Sequence, residues 1–175
     1  YENPNFIMKR HLKRLLDICE KYGLNAMMWS DMYFQADGLH YHSEKDPSPE
    51  AIAAVDPRVT LVYWDYYQAR EEMYDDALRK HAMFPAPTVF AGGIWTWVGA
   101  ATYYSLSINN TRHALTACRD NGIKETILTT WHDVCLSFRV TALAGAQMVA
   151  EMDYTGEDDE DSVRRRFAYI GGEDA

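Results

Sequence analysis

The sequence predicts an α/β protein whose strands alternate with helices and pair in parallel. Short apolar runs are separated by segments of helical periodicity, in the order α-β-α-β-α-β-α-β-α, and every predicted strand ends at a tryptophan. Such alternation implies right-handed crossovers, and so either a doubly wound sheet or a (β/α)8 barrel.

The first helix is expected from Asn5 to Tyr22, where Ile7, Leu12, Leu15, Leu16 and Cys19 recur at helical spacing and Gly23 supplies the stop. Leu24 to Ser30 reads as a short buried strand, running into Asp31-Met32-Tyr33-Phe34. The polar stretch Gln35 to Pro57 reads as a long loop with one helical turn near Glu50–Ala54. The second strand is Val59 to Trp64. A helix to about Met83 follows, with Met73, Ala77 and Leu78 on one face, closed by Pro85 and Pro87. Thr88 to Ala91 forms the third strand and leads into Gly92-Gly93-Ile94-Trp95-Thr96-Trp97. The next helix is expected from Asn109 to Asn121, stopped by Gly122, and the fourth strand from Glu125 to Thr130. A long helix from Ser137 to Met152 and a short one through Tyr169 complete the chain. The acidic loop Glu157 to Asp161 caps the latter at its positive end.

Composition narrows the function. The 175 residues include 17 Lys+Arg against 26 Asp+Glu, a formal charge of −9, with no basic stripe to track a phosphate backbone. No nucleic-acid partner is expected, and no membrane partner, since no apolar run reaches the length of a membrane span. Cys19, Cys118 and Cys135 are odd in number and widely spaced, which implies no disulfide framework and favours a reducing compartment. The chain opens at Tyr1 and enters a helix almost at once, as expected of a piece of a longer protein.

Parallel α/β folds work at the carboxyl ends of their strands. Those ends read Trp29-Ser30-Asp31, Trp64-Asp65-Tyr66, Trp95-Thr96-Trp97 and Trp131-His132-Asp133, and they hold all 5 tryptophans of the chain. Indole rings pack on the apolar C–H faces of a pyranose, while carboxylates take hydrogen bonds from its hydroxyl rim. The pattern therefore points to a carbohydrate pocket. The plainer alternative makes these rings core at the barrel top.

Other motifs carry less. His40-Tyr41-His42 has a metal-ligand spacing, with Asp31, Asp37 or Glu44 as further donors, but two exposed loop histidines explain it as well. No metal site and no cofactor is expected. Gly92-Gly93 lacks the rest of a phosphate-loop signature and reads as close backbone packing. Asn109-Asn110-Thr111 matches a glycosylation sequon, for which helix capping is the better account. Cys135 reads as a buried thiol, and Arg164-Arg165-Arg166 as a solvated helix face.

The stretches Met28-Trp-Ser-Asp-Met-Tyr-Phe34, Tyr63-Trp-Asp-Tyr-Tyr67, Phe90-Ala-Gly-Gly-Ile-Trp-Thr-Trp97 and Thr129-Thr-Trp-His-Asp133 resemble successive strand ends of glycoside hydrolase family 20. The likeness is to its bacterial exo-β-N-acetylhexosaminidases, in order and over residues 5 to 170. The chain departs from that pattern at His132. The resemblance implies a (β/α)8 TIM barrel of which this chain is the second half, strands five to eight. It implies a substrate with a terminal N-acetylhexosamine and a bacterial cytoplasmic setting. The family's adjacent Asp-Glu catalytic pair would lie upstream of Tyr1. Substrate-binding residues would be Trp29, Asp31, Trp64, Asp65, Tyr66, Trp95, Trp97, Trp131 and Asp133. A tyrosine among Tyr63, Tyr66 and Tyr67 would donate to the acetamido oxygen, Tyr66 being the first choice. An isolated half-barrel would self-associate through its open sheet edges.

Overall fold

The computed structural model describes residues 4–131, 139–157 and 159–172. Its centre is a four-stranded, all-parallel sheet in the order β1-β2-β3-β4, curled like half a barrel. The strands are β1 (Ala26–Trp29), β2 (Val59–Trp64), β3 (Thr88–Gly93) and β4 (Thr126–Thr129). Helices α1 (Pro4–Lys21), α2 (Asp31–Ala36), α3 (Pro49–Ala54), α4 (Glu71–His81) and α5 (Tyr104–Asp120) lie between and before them. A 3-10 turn, Arg139–Ala142, then leads into α6 (Leu143–Thr155), and α7 (Glu160–Gly171) follows. Trp29 pairs with Val62, Trp64 with Ala91, and Gly93 with Thr129, so the strand ends rise together.

Alternation along each strand sorts the two faces. Val59, Leu61, Tyr63 and Phe90 point to the helices and join Leu12, Leu16, Phe34, Tyr74, Ala77, Leu78, Ala114 and Ala117 in the main core. A second cluster of Ile94, Ile108, Leu115, Val149 and Met152 lies under α5 and α6. Met27, Trp29 and Ile127, of opposite parity, lie on the concave face and remain substantially exposed.

Three expectations change. Asp31–Ala36 is helical, because the chain turns back from β1 immediately and buries Tyr33 and Phe34 against the core. Helix α5 starts at Tyr104, five residues before Asn109, with Tyr103 as a cap that supplies no side-chain bond. Asn109 and Asn110 are therefore inside the helix and cap nothing, and the missing capping side chain is why the true start is silent in the sequence. The helix expected from Ser137 begins at Leu143, and the residues between 132 and 138, Cys135 included, lie outside the described residues. At α7 the acidic cap is as expected: the Asp159 side chain accepts from the Asp161 N–H.

Candidate carbohydrate pocket

A cavity of about 370 Å³ opens at the carboxyl ends of the strands, lined by Trp29, Asp31, Trp64, Tyr66, Tyr67, Trp97 and Trp131. It falls near the lower end of the ~300–1,000 Å³ typical of small-molecule sites, a size for one sugar ring rather than an extended chain. The sheet's curl closes it. Trp29 follows one edge strand and Trp131 the other, yet their rings approach to 6.1 Å.

Asp31 is the cavity's only charged group among the described residues. Its Oδ1 accepts from Trp64 Nε1 at 3.2 Å and its Oδ2 from Gln35 Nε2 at 2.8 Å. Each oxygen keeps a further lone pair for a ligand hydroxyl. The Trp64 donor also fixes the indole that forms the adjacent wall.

Tyr66 stands between Trp64 (5.6 Å) and Trp97 (5.3 Å, edge-on). Its hydroxyl is buried and, among the described residues, has no partner of good hydrogen-bond geometry. Burial raises this phenol above the ordinary tyrosine value, and nearby Thr129 and Trp131 oppose the rise. An unpaired buried hydroxyl is costly, so this one would gain from any acceptor that reached it. Gly93 makes the arrangement possible. A Cβ there would stand 2.9 Å from Tyr66 Cδ1, 2.9 Å from Thr129 Oγ1 and 3.1 Å from Trp97 Cη2.

The remaining expected site residues divide. Tyr63 faces the helices and is fully buried, so of the three tyrosines it is Tyr66 and Tyr67 that reach the cavity. Asp65 does not line the cavity: it is 4% exposed and its carboxylate is filled by neighbours. Its Oδ2 accepts from the Tyr63 hydroxyl at 3.1 Å and His42 Nε2 at 2.7 Å, and its Oδ1 from the Tyr67 N–H at 2.9 Å. Three donors leave it a structural post. Trp95 does not line the cavity either and stacks on Trp97 at 4.9 Å. Asp133 lies outside the described residues.

His42 is also not the exposed loop histidine the sequence suggested, since it is half-buried on Asp65. Among the described residues no group of three His, Cys, Asp or Glu is placed to hold a metal ion, and no helix is long and apolar enough to cross a membrane.

Two buried features were invisible to sequence reasoning. Lys80, 1% exposed, donates to the carbonyls of Tyr41 and Ser43 and to Asp76, anchoring the loop that carries His42. Beside it His81 must carry its proton on Nδ1, which bonds the Ala77 carbonyl at 2.6 Å. Its Nε2 therefore accepts from Ser30 Oγ at 2.8 Å, and Ser30 in turn accepts from the Tyr41 hydroxyl at 2.9 Å. This chain ties the loop to the end of β1, between Trp29 and Asp31.

Fold and site together define a parallel α/β half-barrel with an aromatic, singly acidic pocket at its strand ends. No family model matches the chain, and no curated protein matches it.

Proposed function

We propose that this chain is the sugar-binding half of a glycoside hydrolase barrel, that of a β-N-acetylhexosaminidase resembling family 20. The observation that carries the reading is the cavity itself, where, among the described residues, four indoles and two phenols surround one carboxylate and one unpartnered hydroxyl. Indole faces suit the C–H faces of the ring and the acetamido methyl. Asp31 accepts from ring hydroxyls, and Tyr66 donates to the acetamido oxygen.

In the substrate-assisted reaction that oxygen attacks the anomeric carbon as the glycosidic C–O bond breaks. A glutamic acid protonates the departing oxygen, and an aspartate orients the acetamido nitrogen. No strand end here carries an adjacent Asp-Glu pair, so in this reading both come from a segment outside the sequence. Trp29, Trp64, Trp97 and Trp131 wall the site, Tyr66 polarises the nucleophilic amide, and water is excluded by the aromatic lining. The substrate would carry a terminal β-linked N-acetylglucosamine or N-acetylgalactosamine.

Asp31, the one carboxylate of the cavity among the described residues, also favours a second reading, a noncatalytic carbohydrate-binding protein of the same fold. The two separate on one experiment. The chain is expected to bind N-acetylglucosamine yet leave an aryl β-N-acetylglucosaminide uncleaved. A preceding segment that supplies an Asp-Glu pair would restore turnover in the enzyme reading and leave it absent in the other. Robust turnover by the 175-residue chain alone would overturn the assignment of the acid to another segment.

A further inference from the structure

We infer that Asn110 of α5 is a positioning residue for the pocket, holding the Tyr66 carbonyl, and through it the phenol, where a ligand can use it. The inference rests on the sugar-pocket reading. Past Trp64 the Asp65 N–H still bonds the Ala91 carbonyl at 3.2 Å, so it is residues 66 and 67 that need another anchor. On one side, Asp65 Oδ1 takes the Tyr67 N–H. On the other, the Tyr66 carbonyl accepts from Asn110 Nδ2 at 2.7 Å and from Trp95 Nε1 at 2.9 Å. Both lone pairs of that carbonyl are thereby used. Among the described residues the phenol has no partner of good geometry, so ring packing and this backbone tie largely decide where its hydroxyl lies.

The tie extends into α5. One turn before Asn110, fully buried Ser107 accepts the Trp95 N–H at 2.8 Å and donates to the Tyr103 carbonyl at 2.7 Å. Ser107 and Asn110, three residues apart on one helix face, thus grip the segments after β2 and β3 together. Asn110 does this at a cost. It is 3% exposed, and its Oδ1 has no hydrogen-bond partner among the described residues. An apolar residue would serve the core better, since an unsatisfied buried amide oxygen is destabilising. What the asparagine supplies is the N–H to Tyr66.

The test is a double-mutant cycle on the 175-residue chain, titrated calorimetrically with N-acetylglucosamine and with glucose, which has no acetamido group. Asn110→Leu should weaken N-acetylglucosamine by about three- to tenfold, the worth of one buried hydrogen bond, and glucose by about twofold at most. In a Tyr66→Phe background the same change should alter affinity by less than about twofold, because the group it positions is gone. A full additional loss in that background, or equal losses for both sugars, would overturn the inference. Trp95→Phe, which removes the other donor and keeps a ring against Trp97, should reproduce the selectivity change and serves if Asn110→Leu does not fold. If the wild-type chain binds neither sugar, the pocket reading falls and this inference falls with it. Wild-type binding with an additive cycle defeats the inference alone.

Discussion

Replacing Gly93 with alanine puts a methyl where three atoms already crowd. Two would lie at 2.9 Å and one at 3.1 Å, well inside ordinary van der Waals contact. Thr129 cannot yield freely, because its Oγ1 donates to the Gly92 carbonyl at 3.0 Å. Tyr66 is held through its carbonyl by Asn110 and Trp95. Relief must then come from tilting the Tyr66 and Trp97 rings, which are cavity walls. Overpacking of this kind costs about 1–3 kcal/mol. If half of that energy is lost from the ligand contacts as the rings move, affinity for N-acetylglucosamine should drop by about 2- to 12-fold at 25 °C, with a smaller effect on melting temperature. Isothermal titration and thermal denaturation of the same variant separate the two. Unchanged affinity together with a marked fall in stability would refute the argument that Gly93 exists to seat these rings.

Three further outcomes are expected. Burial lowers His81 to about 4 from an ordinary 6.5, so the folded state keeps it neutral where the unfolded chain would protonate it. Stability from this group is complete above pH 6.5 and falls by roughly 3 kcal/mol as pH drops to about 4. Urea unfolding across that range should show the slope, and His81→Gln should flatten it. Trp131→Ala should weaken N-acetylglucosamine binding by about 1–3 kcal/mol with the fold retained, since it removes one aromatic wall; a collapse in melting temperature with affinity intact would return Trp131 to the core. Finally, β1 and β4 each present an open edge beside exposed Met27, Trp29 and Ile127, so the chain should self-associate at micromolar concentration in sedimentation; a stable monomer would count against edge pairing.

Strand order and the place of the cavity at the strand ends were legible because they rest on local signals. A buried parallel strand must read as an apolar run, and an indole after each run marks where the chain leaves the sheet. What followed the strand ends was not legible. Just past Trp64 and Gly93 the alternation of the strands gives out, so Asp65 and Trp95 looked like wall residues although neither lines the cavity. Helix α2 was missed because Asp31–Ala36 is too short for periodicity to declare itself. The supports of the site, Asn110 on Tyr66, Lys80 on Tyr41 and His42 on Asp65, join residues 44, 39 and 23 positions apart. Such pairs leave no spacing in the chain, and only the fold brings them together.

The central claim is that this aromatic cavity holds an N-acetylated sugar. Its most direct test is the indole N–H region of a nitrogen–proton correlation spectrum, which contains one resonance for each of the 5 tryptophans. Added N-acetylglucosamine should move the resonances of Trp29, Trp64, Trp97 and Trp131 along one saturable curve, and glucose should move them less at equal concentration. Indole resonances that stay fixed up to tens of millimolar sugar, a range in which even millimolar affinity (about −4 kcal/mol) would be seen, would contradict it.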